Sequence, residues 1–221
     1  MKKQEEKLGL IIMAGMLVML ATSCNDHREY LFNGENLDGW TIFVSDSTVS
    51  AEAFFYVNEG MIETIGVPNG YLRTVKAYAD YHLHVEWRYP ENPTNSGIFL
   101  HTIGPDKWTV NHFQGQLKHG NAGDFIVNGE GLYATIRDTV YASTENPVKP
   151  VLPKLYASNE NQAGEWNSYD ITCKGSTIEL RVNGLLQNVA TDCSHSKGNI
   201  GLQAEGSKIQ FRNLWLEKLN D

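Results

Sequence analysis

The chain has 221 residues and a formal net charge of −8, and hydrophobic residues make up 41% of it. Its length suits one domain that can bury a full hydrophobic core. The negative charge, with no cluster of lysine or arginine, argues against nucleic-acid binding, because contacts with phosphate dominate that affinity.

The N-terminal segment predicts export. Lysines at positions 2, 3 and 7 precede an apolar run over residues 8–21. This run is short for a membrane-spanning helix, which needs about 20 residues, and it fits a secretory signal. The run ends in small residues directly before Cys24, an arrangement that resembles the lipobox of bacterial lipoproteins. We therefore predict a signal peptide over residues 1–23, lipidation of Cys24 and a polar tether over residues 24–30. A plain signal peptide or an uncleaved anchor is the alternative.

This prediction places the mature domain, residues 31–221, in the cell envelope, where it would contact a membrane only through the lipid. Both orientations, towards the periplasm and towards the outside of the cell, are compatible with this prediction. Cys173 and Cys193 are the cysteines left after export. A disulfide is permitted in an oxidising compartment, but two buried free thiols are an equal alternative, and their number and spacing do not indicate a zinc site.

Alternation of apolar and polar residues predicts an all-β domain. Residues 81–89 are apolar at each odd position and polar at each even one, which is the pattern of a two-faced strand. Residues 177–182 alternate in the same way and lead into Asn183 and Gly184, a strong hairpin signal. A change of parity in the last strand predicts a bulge near Arg212 and Asn213. Many short strands between glycine-containing turns favour a β-sandwich or jelly roll.

The proline-rich stretch over residues 143–164 is too long for a hairpin, so we expect it to cross the surface, with a site beneath it as one option.

Three predicted strands each carry unusual polar side chains on one face. The sets are His82, His84, Glu86 and Arg88 in the first strand, His101 beside Gly97 and Phe99 in the second, and His112, Gln114, Gln116 and Lys118 in the third. If these strands are neighbours, the faces form one patch with the mixed donors and acceptors that a sugar requires. Gly97 and Gly115 would leave room for a ligand or another backbone, and Trp108 and Trp166 are candidate platforms for a pyranose ring.

The alternative is an ordinary solvated sheet face. Glu86 and Arg88 would then be a cross-strand ion pair worth less than about 1 kcal/mol. His101 and His119 lack the fixed spacing of metal ligands, so no metal site is assigned, although a requirement for a divalent metal stays open.

The sequence resembles the 3-keto-disaccharide hydrolases, a family once catalogued as a domain of unknown function. The matching segments are residues 31–34 (LFNG), 37–40 (LDGW), 70–74 (GYLRT), 86–88 (EWR), 95–98 (NSGI), 116–125 (QLKHGNAGDF), 164–167 (GEWN), 183–184 (NG), 201–206 (GLQAEG) and 211–214 (FRNL). The resemblance implies a concanavalin A-like jelly-roll sandwich of two antiparallel sheets. It also implies hydrolysis or elimination acting on glycosides oxidised at C3, in Bacteroidetes-type envelopes.

The implied chemistry differs from ordinary glycoside hydrolysis, which needs two carboxylates. A C3 ketone acidifies the C2 proton, so a base can remove it and the C1 substituent can leave before water adds. Such a site needs a base, donors for the enolate oxygen and an acid for the leaving group. We expect Glu86 as the base, with a pKa raised by partial burial, Arg88 or Lys118 as enolate donors, and His101 or His119 as the acid. The expected substrate-binding residues are Asn95, Trp108, Gln114, Gln116, Lys118, Asp124 and Trp166.

Two positions depart from the family pattern. Relatives commonly carry a glutamate where this chain has Gln114, and an arginine where it has His101. A neutral amide can bind a sugar but cannot act as a base. The sequence therefore leaves three functions open: an enzyme acting on 3-keto-glycosides, a non-catalytic carbohydrate-binding envelope lipoprotein, or a structural envelope protein.

Overall fold

A computed structural model describes residues 27–143 and 149–219, and most of these residues belong to two large antiparallel β-sheets. The predicted signal peptide, Cys24 and residues 25–26 of the predicted tether lie outside the described residues. Within those residues the helical structure is a single turn, α1 (Ala51–Phe54), which Ser50 caps at its N-terminus. None of the described helical structure has the length and apolarity needed to cross a membrane.

The described residues contain the following strands in chain order. They are β1 (Arg28–Tyr30), β2 (Trp40–Val44), β3 (Phe55–Asn58), β4 (Met61–Thr64), β5 (Gly70–Thr74), β6 (Tyr81–Arg88), β7 (Gly97–Ile103), β8 (Asn111–Gln116), β9 (Phe125–Asn128), β10 (Tyr133–Ile136), β11 (Thr139–Ala142), β12 (Val151–Leu152), β13 (Asn167–Lys174), β14 (Thr177–Val182), β15 (Leu185–Ala190), β16 (Asn199–Ala204) and β17 (Ile209–Lys218).

The strands divide into two main sheets. Sheet A has the order β15-β14-β13-β6-β17-β4-β3, and β1 also pairs with β17. Sheet B has the order β12-β9-β8-β7-β16-β5-β2, while β10 and β11 form a separate hairpin. This arrangement confirms the predicted all-β sandwich.

Strand β6 shows how the sequence pattern produces the core. Its apolar side chains, from Tyr81 to Trp87, are fully buried, and the polar side chains between them are half-buried on the opposite face. Trp87 packs edge-on against Tyr169 of β13, with ring centroids 5.6 Å apart. Because burial of a large apolar side chain contributes about 1.5–3 kcal/mol, this alternation fixes which face of β6 turns inward.

The predicted hairpin and bulge are both present. Asn183 and Gly184 have φ values of 46° and 79° and join β14 to β15. In β17 the register shifts between Arg212 and Trp215, and Asn213 has a φ of 50°. The shift returns the two leucines beyond the bulge, at positions 214 and 216, to the core.

The predicted tether is wrong in its last three residues. Residues 28–30 form β1, which pairs with residues 215–217 of β17, so the folded domain begins earlier than residue 31.

Residues 149–164, the described part of the predicted surface excursion after Ser143, close an edge of the sandwich. There β12 pairs with β9, and the backbone N–H of Leu155 donates to the carbonyl of Gln187 in β15 at 2.7 Å.

The two cysteines of the domain are free and buried. Burial raises the pKa of both the Cys173 and the Cys193 thiols to about 12, so each behaves as a small apolar side chain. The structure thus favours the buried-thiol alternative over the disulfide.

Gly115 provides a test of the packing between the sheets. A methyl group at this position would overlap the ring of Tyr169 from the opposite sheet. We expect Gly115→Ala to lower the free energy of unfolding by about 1–3 kcal/mol, the usual cost of overpacking, as measured by urea denaturation. The same substitution in a Tyr169→Leu background should cost much less, and an equal cost in both backgrounds would contradict the proposed contact.

Candidate functional site

The predicted polar patch is divided between two opposite surfaces of the molecule. Glu86 and Arg88 lie on the outer face of sheet A, whereas Gln114 and Gln116 lie on the outer face of sheet B. The apolar residues that alternate with each set point into the same core, so the two polar sets point away from each other. The expectation that all of them line one cavity is therefore wrong.

Glu86 is held in an ion pair on sheet A. Arg212 Nε donates to Glu86 Oε2 at 2.6 Å, and Asn213 Nδ2 donates to Oε1 at 2.8 Å. Burial acts to raise the pKa of Glu86, but the two hydrogen bonds and the charge of Arg212 lower it below its ordinary value. The prediction of a base with a raised pKa is wrong at this residue.

Arg88 and Trp166 also belong to the sheet A side. Arg88 Nε donates to Gln210 Oε1 at 2.6 Å, and its guanidinium lies 4.6 Å from the centre of the Trp166 ring. Arg212 contacts the same ring at 3.9 Å. The sequence analysis expected Arg88 and Trp166 to contact a sugar bound beside Gln114. Their position on the sheet A side rules out that contact.

His101 turns towards the core and does not join Gln114 on the outer face. It lies at the bulge of β7 with a φ of 49°, and its ring packs edge-on against Tyr81, with centroids 5.8 Å apart. Its Nδ1 donates to the carbonyl of His195 at 3.2 Å, and burial lowers the pKa of the imidazole. The predicted acid at this position is therefore misplaced.

The turn after β8 contains three other predicted residues. Asp124 is buried, and its carboxylate accepts hydrogen bonds from the backbone of Lys154 at 2.9 Å and the side chain of Asn121 at 3.2 Å. These contacts tie the turn to the segment after β12, so Asp124 has a structural role. His119 is partly exposed, with Nδ1 3.7 Å from Glu160 Oε1, and Lys118 is exposed.

The outer face of sheet B carries a continuous hydrogen-bonded set of side chains. We call Gln114, Gln116 and Gln203 the amide ladder. Gln114 Nε2 donates to the side-chain oxygens of Gln116 and Gln203, each at 3.2 Å. Gln203 Nε2 and Asn95 Nδ2 then donate to the same oxygen of Glu205, Oε2, each at 2.8 Å.

Gly97 allows the amide ladder to cross a strand. It pairs with Gln116 in the register of β7 and β8, and β7 lies between β8 and β16. A Cβ atom at Gly97 would overlap the amide group of Gln114. The missing side chain therefore lets Gln114 reach Gln203, and the room that the sequence analysis assigned to a ligand is taken by this contact.

Three polar atoms of this set have no hydrogen-bond partner within the described part of the chain. Glu205 Oε1 and the Nε2 of Gln116 make no hydrogen bond there, and the Oδ1 of Asn95 is buried without a partner. An unsatisfied buried acceptor costs free energy that a bound donor would recover. Of these three atoms, the acceptor Glu205 Oε1 and the donor Gln116 Nε2 are the ones that a ligand can reach, which suits a hydroxyl group that both donates and accepts.

An aromatic stack borders the amide ladder. Phe99 stacks on His112 with ring centroids 3.7 Å apart, and Tyr71 packs between Phe43 and Phe99. The connection over residues 104–110 folds onto this stack, because Tyr71 Oη donates to Asp106 Oδ1 at 2.8 Å. The connection includes the half-buried Trp108, which is therefore the one of the two predicted ring platforms that lies on the sheet B side.

His112 extends the polar set but brings no charge at neutral pH. Its Nε2 lies 3.2 Å from Gln114 Oε1, and burial lowers the pKa of the imidazole to about 4. Glu205 is the acidic side chain that this chain of hydrogen bonds includes.

The sequence analysis assigned no role to Gln203 or Glu205, although the pattern contains a signal for both. They alternate with Leu202 and Ala204, which are fully buried, so they share the outward parity of β16. What the pattern lacks is the pairing of β16 with β7, which brings Glu205 opposite Asn95.

A second polar cluster lies on the outer face of sheet A. His84 Nδ1 donates to Asp170 Oδ1 at 2.7 Å, and His82 Nε2 lies 3.6 Å from the same oxygen. Burial acts to raise the pKa of Asp170, but the two histidines lower it far below its ordinary value. The described residues contain no group of three or more His, Cys, Asp or Glu with metal-binding geometry.

The jelly-roll sandwich, together with the family match of the chain, indicates a glycosidase-like, carbohydrate-active protein. More specifically, the chain belongs to the family of 3-keto-alpha-glucoside-1,2-lyase-like domains, whose model matches residues 28–217. This result confirms the resemblance seen in the sequence. No curated protein is significantly similar to the chain in sequence.

Solved structures with low sequence identity share the fold. A candidate glycosyl hydrolase from Parabacteroides distasonis is 22% identical, with a TM-score of 0.61 over 87% of this chain and 94% of that one. The carbohydrate-binding module CBM66 from Bacillus subtilis is 12% identical, with a TM-score of 0.57 over 86% and 100%. The β-glucanase of Bacillus licheniformis is 13% identical, with a TM-score of 0.56 over 86% and 97%. These similarities support the predicted concanavalin A-like sandwich.

Asp170 leads to a prediction of pH-dependent stability. We expect Asp170→Asn to lower the free energy of unfolding at neutral pH by about 1.5–3 kcal/mol, the range for hydrogen bonds to a charged group. Because the pKa of Asp170 is depressed in the folded state, this stabilisation is complete above the unfolded-state pKa of about 3.9 and declines as the pH falls below it.

Urea denaturation at neutral pH and at about pH 3 measures the difference between wild type and Asp170→Asn. Asp38→Asn is the matched control, because Asp38 is exposed and its carboxylate has no charged partner within the described residues. A difference that stays constant between the two pH values would contradict the assignment.

Proposed function

We propose that the protein processes glycosides that carry a ketone at C3, and that Glu205 is the base. The observation that carries the proposal is the free oxygen of Glu205. Its Oε2 is fixed by Gln203 and Asn95, while Oε1 accepts no hydrogen bond within the described residues. A carboxylate held on one side and open on the other is suited to take a proton from a bound sugar.

The proposed reaction begins at C2 of the oxidised sugar. The C3 ketone acidifies the C2 proton, Glu205 Oε1 removes it, and the electron pair is delocalised onto the C3 oxygen. The C1–O bond then breaks with its electrons on the departing oxygen, which leaves a double bond between C1 and C2, and water can add to it afterwards. The free Nε2 of Gln116 is the donor available to the C3 oxygen.

The remaining predicted contacts follow from the same geometry. Asn95 acts through its Nδ2, which holds Glu205 Oε2, and Trp108 lies in the connection that borders the aromatic stack. Lys118 and His119 follow β8 directly, so they stay candidates for the donor to the leaving group.

A non-catalytic carbohydrate-binding protein is the second candidate function. The observation that favours it is Gln114, a neutral amide at a position where the family resemblance leads us to expect glutamate. Gln114 donates to Gln116 and Gln203, so its place in the amide ladder is that of a structural donor. Such a surface binds hydroxyl groups without supplying a second base.

Turnover of a 3-keto-glucoside separates these two functions. We expect the wild-type protein to release the C1 substituent and Glu205→Gln to reduce the rate by about 100-fold or more, the typical contribution of a general base. Release is followed by chromatography of the unsaturated sugar or of 3-keto-glucose. Glu179→Gln, an exposed glutamate on sheet A, is the matched control.

Two results would contradict the assignment of the base. One is a full rate in Glu205→Gln, and the other is a larger loss in Glu86→Gln than in Glu205→Gln. Sugar binding without turnover by the wild-type protein would instead support the second candidate function.

We also propose that the protein is a lipoprotein of the cell envelope. The support comes from the sequence alone, namely the apolar run and the small residues directly before Cys24. Cys24 itself lies outside the described residues. Metabolic labelling with a fatty-acid analogue should modify the wild-type protein and spare a Cys24→Ser variant, which should also leave the membrane fraction. Equal labelling of both proteins would contradict the anchor.

A further inference from the structure

A cavity of about 510 Å³ lies on the sheet A side of the molecule. Its walls include Tyr30 of β1, Arg88 at the end of β6, Trp166, and Arg212 and Asn213 at the bulge of β17. We call it the arginine–tryptophan cavity. Its volume falls within the range of about 300–1,000 Å³ that is usual for small-molecule sites.

Two arginines contact a single indole ring at this cavity. The guanidinium carbons of Arg88 and Arg212 lie 4.6 and 3.9 Å from the centre of the Trp166 ring. Stacking on an aromatic face holds a guanidinium in a fixed plane and leaves N–H groups at its edge to donate. The two side chains are thereby oriented before any ligand binds.

The charges of the two arginines are balanced differently. Arg212 is paired with Glu86 at 2.6 Å. The contacts of Arg88 are with Gln210 and Trp166, which are both uncharged, and it forms no ion pair within the described residues. The turn between β3 and β4 brings one carboxylate, that of Glu59, to the wall. The walls themselves therefore hold two arginines and one carboxylate, and Arg88 is the arginine that no ion pair engages within the described residues.

We propose that the arginine–tryptophan cavity binds the anionic group of an acidic saccharide, either the carboxylate of a uronic acid or a sulfate ester. Arg88 provides a charge that is not engaged in an ion pair within the described residues, and its planar donors suit such an oxyanion. The exposed ring of Tyr30 offers an apolar face beside it. The choice of a saccharide rests on the proposed function, whereas the choice of an oxyanion rests on the cavity alone.

The position of the cavity determines how it could work with the amide ladder. The two sites lie on the outer faces of opposite sheets, with the core between them. A short saccharide cannot reach both. The arginine–tryptophan cavity would therefore hold a separate molecule or a distant segment of a glycan, and its occupancy should not depend on Glu205.

Titration calorimetry with the full chain tests this inference. The ligands are trigalacturonate, a sulfated disaccharide and, as the neutral comparison, maltotriose. We expect one or both acidic ligands to bind at least about tenfold more tightly than maltotriose, and Arg88→Gln to weaken that binding by about tenfold or more. Arg181→Gln, which removes an arginine paired with Glu179 elsewhere on sheet A, should change it by less than about twofold.

Further measurements keep the test independent of one variant and of the proposed function. Trp166→Leu retains both arginines but removes the surface that orients them, so it should also weaken binding. In the unaltered protein, the acidic ligand that binds more tightly should shift the NMR signal of the Trp166 indole N–H. Glu205→Gln should bind acidic ligands as the wild type does, even if the proposed turnover fails.

Several outcomes would overturn the inference. These are equal affinity for neutral and acidic ligands, equal losses in Arg88→Gln and Arg181→Gln, loss of binding in Glu205→Gln, and an unchanged Trp166 signal at saturation with the acidic ligand that binds more tightly. A preference for only one acidic ligand would support the inference and identify the anionic group.

Discussion

Each side chain in the two sheets faces either the shared core or the outside, and this choice determines which polar groups can act together. The core is interlocked across the sheets, since Tyr169 of sheet A occupies the space left by Gly115 of sheet B. With the inner faces committed to packing, Glu86 and Gln116 cannot approach one another through the sandwich. Any chemistry must be assembled from residues of one sheet and the connections at its edges.

Apart from His101, sequence parity predicted the faces of these strands correctly, but it could not assign strands to sheets. The alternation in β6, the Asn183–Gly184 turn and the bulge at Asn213 follow from local preferences, so they were predictable. The placement of β6 beside β13 and β17, and of β8 beside β7, depends on pairing between residues far apart in the chain. Glu86 and Gln116 have the same kind of local pattern, and only the long-range pairing separates them.

The errors at single residues have different physical causes. His101 has the parity of Phe99, but the backbone at the bulge of β7 turns it inward. Asp124 has the chemistry of a ligand-binding residue, but two nearby donors already occupy its carboxylate. Glu205 was recognisable as an outward-facing residue, yet its importance depends on Asn95 and Gln203, which only the folded sheet brings beside it.

Gly97 shows that a residue without functional groups can be essential to a polar network. It separates two strands whose side chains meet because nothing projects between them. Any larger residue here would push Gln114 aside and detach the β8 amides from the carboxylate on β16, while every donor and acceptor stayed in the protein. Under the proposed function, a mutational scan for activity would therefore rank this position with the reactive groups, although it touches neither proton nor sugar.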